Sequence, residues 1–245
     1  MSNRYCLIIP CYRHAKPLYS VLERLSAYKI DVIVVDDGND NLERALIEDT
    51  VNRHCDFTSL LHHDVNMGKA KAFRTGLVFA RDKGYTHAIQ IDADGQHDIN
   101  DLDKAIKLSD TNEDCIISGN PIYSDDAPKS RVYGRKITTF FVAVETMSLS
   151  LKDAMIGFRV YPVNKALNLI EKYNLKDSMC FEIEILVRAY WMGIKTKFFD
   201  TKITYPEDGI SNFKGSDNLK ISLMHTKLCT LAFFYLPLRL FTHGK

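Results

Sequence analysis

Two periodicities alternate along the first half of the chain. Short apolar runs rich in β-branched residues read as strands: YCLIIPCY (5–12), DVIVVDD (31–37), TSLLHH (58–63), THAIQID (86–92) and DCIISGN (114–120). Between them, apolar residues recur every three to four positions. Leu18, Val21, Leu22 and Leu25 do so in PLYSVLERLSAYK. Ala70, Phe73, Leu77 and Ala80 do so in GKAKAFRTGLVFARDKG, where Gly84 supplies a stop. Strand–helix alternation at this rhythm predicts an α/β fold with a mostly parallel central sheet flanked by helices. From residue 121 the alternation is lost. PIYSDDAPKSRVYGRK reads as a polar loop over the site, and RKITTFFVAVETMSLSL (135–151) as a helix. No linker or repeat divides the chain. The pattern predicts one domain over residues 1–215, whose second half builds the other wall of a cleft, and a C-terminal helical extension over 216–245.

In open parallel sheets, ligands bind beyond the carboxyl ends of the strands. The residues just after each apolar run are therefore the candidates. They are Cys11 and Tyr12 on the first run, Asp36, Asp37 and Gly38 on the second, Asn66, Gly68 and Lys69 on the third, and Asp92, Asp94 and Gln96 on the fourth. All four ends offer polar groups suited to a nucleotide. There is neither a GxGxxG after the first strand nor a GxxxxGK[ST], so the dinucleotide fingerprint and the P-loop are both excluded.

The fourth end carries the sharpest signal. In AIQIDADGQHD two carboxylates stand two residues apart, and held this close they repel unless something positive lies between them. Asp92, Asp94 and Gln96 offer only oxygen donors, which suits Mg2+ or Mn2+ rather than zinc and leaves positions open for diphosphate oxygens. A calcium loop fails. Gly95 is the fourth residue of that count where the sixth is needed, and a strand precedes it where a helix is needed. The weaker motifs have plain structural readings as well. An aspartate after a strand commonly forms a turn, although one in VVDDG could also accept from a base N–H or a ribose hydroxyl. NMGK opens a helix whose free N–H groups and Lys69 could attract a diphosphate, but Lys69 could equally be solvated.

Composition narrows the classes further. Lys plus Arg (32) nearly cancels Asp plus Glu (31), so no global basic field argues for a nucleic-acid partner. Six cysteines without a CxxC pair fit free thiols in a reducing compartment, which predicts a cytoplasmic protein. The N-terminal apolar run is broken by Pro10, too early for a signal peptide. No run is long enough to span a bilayer. LCTLAFFYLPLRLF (228–241) reads either as a helix packed on the core or as an interfacial segment that holds the protein at the inner face of a membrane.

Taken together, IPCY, VVDDG, NMGKAKAFRTG and QIDADGQH resemble the family-2 inverting glycosyltransferases of the GT-A fold. The resemblance covers roughly residues 4–210. It is nearest the branch containing dolichol-phosphate mannosyltransferase and the polyprenyl-phosphate sugar transferases. It implies a nucleotide-sugar donor (a UDP- or GDP-sugar) with base and ribose near Pro10, Tyr12 and Asp37. It also implies a divalent metal on Asp92, Asp94 and Gln96, and a lipid or other hydrophobic acceptor. DAMIGFRVYP resembles that branch's D-x-x-x-G-F-R segment through Asp153, Gly157, Phe158 and Arg159. FEIEILVRAYWMGIK resembles its glutamate-bearing helix, with Glu184 at the matching position and Glu182 beside it. ITYPEDGISNFK departs from the branch's arginine followed by G-x-S-K. Gly209 and Ser211 remain, but the basic residues are out of register and Lys214 comes late.

The chemistry this implies is an inverting displacement at the sugar's anomeric carbon. The metal and Lys69 or Arg131 would stabilise the departing nucleoside diphosphate. A hydroxyl acceptor needs a base, for which Glu182, Glu184 and Asp153 are candidates; a phosphate acceptor needs none. Glu182 and Glu184 cannot share a helix face, so at most one enters the cleft, and Arg188 stands ready to pair with Glu184. Arg159 is read either as a phosphate contact or as the partner of Asp153. His97 reads as a turn histidine or a metal neighbour. His225 reads as a structural histidine or as one reaching back to the metal. Two rival functions share the cleft. A nucleotidyltransferase should carry a Gly-rich basic loop after the first strand, and CYRHAKP has no glycine. A non-catalytic nucleotide-binding regulator would need no acceptor wall.

Overall fold

The computed structural model describes residues 3–123, 127–175, 180–204 and 215–242. The first three strands, β1 (Tyr5–Cys11), β2 (Asp31–Asp37) and β3 (Thr58–His63), alternate with helices α1 (Ala15–Leu25), α2 (Asn41–Arg53) and α3 (Lys69–Asp82). Then follow β4 (His87–Gln90), α4 (Leu102–Asp110), β5 (Ile116–Tyr123), α5 (Lys129–Thr146), β6 (Arg159–Pro162), α6 (Val163–Tyr173), α7 (Phe181–Trp191), β7 (Thr196–Ile203) and α8 (Gly215–Thr242). One seven-stranded sheet runs in the order β3-β2-β1-β4-β6-β5-β7. It is parallel from β3 through β4 and again between β5 and β7. β6 is inserted antiparallel between β4 and β5.

Both faces of the sheet are covered, which is why the β1 and β2 runs are continuously apolar rather than alternating. One core lies between the sheet and α3, α6 and α7, around Phe73, Tyr161 and Phe181. The other lies beneath α1, α2 and α4, around Leu18, Leu22, Ile47 and Leu102. Leu18, Val21, Leu22 and Leu25 are buried along α1 as their spacing predicts, and so are Ala70, Phe73, Leu77 and Ala80 along α3.

The second half departs from the sequence reading in three places. The stretch 121–136 is not one loop. β5 continues to Tyr123 and α5 already begins at Lys129, with residues 124–126 outside those described. α5 stops at Thr146 rather than 151, closed by Met147 in the left-handed region at φ 49°. The strands β6 and β7 were not foreseen. β6 is only four residues long and buried on both faces, so it carries no alternation. From Phe199 onward β7 does alternate, with Phe199, Thr201 and Ile203 buried and Asp200 and Lys202 exposed on the other face, the pattern of a charged edge strand. β4 also ends two residues early, at Gln90, where its pairing with Arg159 of β6 ends.

α8 lies against α5. Its Met224, His225, Leu228 and Ala232 are buried. Among the described residues, no helix is long and apolar enough to cross a membrane. All six cysteines are free thiols, and burial pushes Cys6 and Cys11 up to about 12.

Candidate active site

The carboxyl ends of β1, β2, β3 and β4 converge, and at each the local sequence builds a turn. The VVDDG aspartates hold two of these turns. Asp36 accepts from the Asn39 backbone and side-chain amides on Oδ1, and from Arg44 Nε and His62 Nδ1 on Oδ2, at 2.6–3.1 Å. Asp37 accepts from His63 Nδ1 and Met67 N on Oδ1, and from Asn66 Nδ2 and Gly68 N on Oδ2, at 2.8–3.0 Å. A carboxylate has about four lone-pair sites, and both aspartates are filled and buried. In this ligand-free arrangement their oxygens hold the loops at the strand ends. Asp37 also takes the N–H groups of Met67 and Gly68, just before the first turn of α3. Gly68 adopts φ 94°, a conformation that glycine reaches without strain, and this brings Lys69 to the first position of α3.

Lys69 is the centre of the cluster. Its Nζ lies 2.6 Å from Asp92 Oδ1 and 3.0 Å from Glu182 Oε1. The positive group among the carboxylates is therefore a lysine, and it joins Asp92 to Glu182 rather than to Asp94. Burial works against the lysine's charge, but Asp92 and Glu182 outweigh it and raise its proton affinity above the ordinary value. Asp92 is likewise opposed by burial and held well below the usual carboxylate range by Lys69 and by His97. His97 Nε2 stands 3.5 Å from Asp92 Oδ2, with the ring buried against Phe158. Asp92 also lies flat against Gly157. A Cβ there would come within 2.6 Å of both its oxygens, so any side chain would displace the carboxylate.

Asp94 differs. Burial and the charge of Asp92 push its carboxyl up, and its Oδ1 accepts only the turn's Gln96 N–H, at 3.0 Å, among the bonds described. Gln96 is half-buried on the same turn, which is tied to β7 through the bridge between His97 and Ile203. Among the described residues, no group of three His, Cys, Asp or Glu side chains is placed to hold a metal ion. Asp92, Asp94 and Gln96 are thus a partial, oxygen-only donor set. The unrelieved carboxylate of Asp94 fits a hard divalent cation whose remaining positions come from elsewhere.

The second half supplies the other wall. Glu182 sits one residue into α7 and points at Lys69. Gln90 Nε2 also reaches its Oε1, at 3.4 Å, and Arg159 Nη1 donates to its backbone carbonyl at 2.7 Å. Glu184 faces the other way, toward Arg188 Nη2 at 3.3 Å and Lys227 Nζ of α8 at 3.8 Å. That removes it as a base, because residues two apart on a helix point in nearly opposite directions. Asp153 is buried and engaged. Arg135 donates to both its oxygens at 3.0 Å, and its Oδ1 also caps the turn through Met155 N and Ile156 N. It is not a free base either, and its partner is Arg135 rather than Arg159. Arg159 is fully buried, bonded to Ser118, Tyr161 and the Glu182 carbonyl, so it meets no solvent-borne phosphate.

The remaining candidates lie around the rim. Pro10 is buried in β1 opposite Val35, and Tyr12 is half-buried with the Arg13 guanidinium 5.1 Å above its ring. Arg131 is exposed on the first turn of α5. His225 does not reach the carboxylate cluster. It pairs with Glu145 Oε1 at 2.7 Å in the seam between α5 and α8. Gly209, Ser211 and Lys214 lie outside the described residues. The sequence reading missed Gln90, His63, Asn39 and Arg135. A polar residue inside a buried run was the available signal for Gln90, whereas Arg135 carried none.

The family model for glycosyl transferase family 2 matches residues 6–175. The chain is 24% identical to polyprenol monophosphomannose synthase of Mycolicibacterium smegmatis over 225 residues, covering 88% of this chain and 83% of that protein. It is 27% identical to the UDP-N-acetylglucosamine–dolichyl-phosphate N-acetylglucosaminyltransferase of Methanococcus voltae over 206 residues, covering 77% of this chain and 81% of that protein. Among solved structures, glucosyl-3-phosphoglycerate synthase of Mycobacterium tuberculosis superposes with a TM-score of 0.65 at 12% identity, over 94% of this chain and 81% of the other. That likeness shows the GT-A architecture alone. The strand-end cluster, the mostly parallel sheet and the family match over residues 6–175 lead to one conclusion: this chain belongs to glycosyl transferase family 2 and is a glycosyltransferase.

Proposed function

We infer that the enzyme transfers a sugar, with inversion, from a nucleoside-diphosphate sugar to the phosphate of a polyprenyl-type lipid. The observation that carries this reading is the Lys69–Asp92–Glu182 cluster beside the unrelieved carboxylate of Asp94. The names of the two curated relatives support the substrate classes, since one is a polyprenol monophosphomannose synthase and the other a UDP-N-acetylglucosamine–dolichyl-phosphate N-acetylglucosaminyltransferase. A Mg2+ or Mn2+ ion on Asp92, Asp94 and Gln96 would supply Lewis-acid stabilisation of the departing diphosphate.

The chain's own part is positioning and charge. Lys69, held between Asp92 and Glu182, fixes an ammonium where negative charge develops on the leaving group. Gly157 leaves room for Asp92 to lie at the strand end, and Arg159 fixes the start of α7 so that Glu182 meets Lys69. In the displacement, an acceptor phosphate oxygen forms a bond to the anomeric carbon while the bond from that carbon to the diphosphate oxygen breaks. A phosphate oxygen carries no proton at neutral pH, so no general base is required. This agrees with Glu184 and Asp153 both being engaged elsewhere. Glu182 then serves as a positioning residue for Lys69.

Calorimetric titration with UDP, GDP, CDP and dTDP, with and without Mn2+, on wild type and Asp94→Asn tests the donor side. Metal-dependent binding of one nucleotide, lost in the variant, is expected and names the base. Binding that ignores both the metal and Asp94 removes the centre of the reading. Incubation of that nucleotide's sugar with polyprenyl phosphate should then give a glycosylated lipid.

A further inference from the structure

Asp92 is held by a cation that belongs to the chain. Lys69 Nζ lies 2.6 Å from its Oδ1, and Glu182 Oε1 lies 3.0 Å from the same ammonium. The other sides of Asp92 are crowded. Gly157 lies flat against both oxygens, and His97 Nε2 stands 3.5 Å from Oδ2. The pair is nevertheless open to the cleft, because the Lys69 and Asp92 side chains keep 34 and 24% of their surface exposed. An ion arriving from solvent can therefore reach it.

Asp92 is also one of the oxygen donors, with Asp94 and Gln96, that the proposed function gives to Mg2+ or Mn2+. A divalent cation and an ammonium on one carboxylate repel each other, the more so in a half-buried cleft. The two therefore compete for Asp92. Lys69 has two advantages over a free ion. It is tethered at the first position of α3, whose entry Asp37 fixes through the Gly68 N–H, so its ammonium is present at every metal concentration. It also has a second anchor. Glu182 is itself held, by Gln90 Nε2 at 3.4 Å and, through its backbone carbonyl, by Arg159 Nη1 at 2.7 Å. Lys69 can thus give up Asp92 and remain paired, so that no charge is left alone.

We propose that Lys69 is a resident counter-ion that withholds Asp92 from free divalent metal and yields it when a nucleoside diphosphate arrives. The diphosphate brings enough negative charge to pair with the metal and the ammonium together, while Glu182 keeps Lys69 in the cleft. Metal and nucleotide then load as a unit, and each raises the affinity of the other by the same factor. This rests on the metal site of the proposed function and adds the order in which that site fills.

The full chain is titrated with Mn2+ alone, and binding is followed by loss of the free ion's electron paramagnetic resonance signal. Wild type should bind weakly. Lys69→Met, which keeps the stem and removes the charge, should bind about tenfold or more tightly, and Lys69→Arg should stay weak. The tight site should vanish in Lys69→Met/Asp94→Asn, which separates it from manganese held elsewhere on the surface. With UDP or GDP, the gain in nucleotide affinity from saturating Mn2+ should be about tenfold larger in wild type than in Lys69→Met. Lys69→Gln repeats the comparison, and thermal melting shows that each variant is folded. Equal Mn2+ affinity in wild type and Lys69→Met, or equal tightening in Lys69→Arg, overturns the proposal and leaves metal-dependent nucleotide binding standing. Mn2+ bound by none of these proteins, with or without nucleotide, overturns it together with the metal of the proposed function.

Discussion

Single side chains decide the cluster, and the difference between Lys69 and Glu182 shows how. On the proposed mechanism Lys69 carries the charge that faces the leaving group, so Lys69→Met should lower kcat by about 10²–10³. Glu182 is proposed only to position it. Glu182→Gln should cost about tenfold or less in kcat and leave the pH–rate profile unmoved, whereas a general base would take one limb of that profile with it. Asp36 makes a stability prediction. Burial raises its carboxyl, but hydrogen bonds from His62, Asn39 and Arg44 outweigh burial and hold it below the ordinary value. A depressed folded value means that its stabilisation is present above the unfolded value, about 3.9, and is lost as pH falls below it. Asp36→Asn should therefore cost about 2 kcal/mol in denaturant unfolding at pH 5–6, and the gap to wild type should narrow toward pH 3. The strand-end aspartates were visible in the sequence as a class. Their tasks were not, because a filled carboxylate and a free one have the same letters, and the donors to Asp37 come from residues 63–68.

At the level of elements, what matters is where each one stops and what it lies against. The turn after α1 leaves Lys29 in the left-handed region at φ 48°, where glycine carries no Cβ penalty. Lys29→Gly should stabilise by about 0.5–1 kcal/mol, raising the thermal midpoint by about 1–4 °C. Gly157 is the opposite case. Gly157→Ala should fold but lose about a hundredfold in activity, read in the transfer assay, because the new methyl pushes Asp92 off Lys69. The first four strands and α1 and α3 were legible because burial on both sides of a parallel sheet writes continuous apolar runs and clean helical spacing. β6 was not legible. A four-residue antiparallel strand lacks both the length and the alternation that mark a strand, and its place is set by pairing with β4 and β5. β7 showed its alternation, but its neighbour in the sheet, β5, is far away in sequence.

For the molecule as a whole, α8 is part of the packed structure rather than an appendage. Glu145 is fully buried, and burial pushes its carboxyl up while His225 partly offsets this. His225→Ala should remove that partner and cost about 2 kcal/mol, lowering the thermal midpoint by about 4–8 °C in a melting curve. Nucleotide binding should not change, because the pair lies in the α5–α8 seam and not at the strand ends.

The sequence by itself determined the α/β class, the parallel first half, the family and the strand ends at which chemistry gathers. Each of these follows from local periodicity or from motifs a few residues long. Only the tertiary structure decided which carboxylates are engaged. It set Glu182 rather than Glu184 or Asp153 against Lys69, gave Asp153 to Arg135, and sent His225 to Glu145. These pairings join residues tens of positions apart, and an ion pair depends on the direction of a side chain in the packed fold. No local pattern along the chain records that direction.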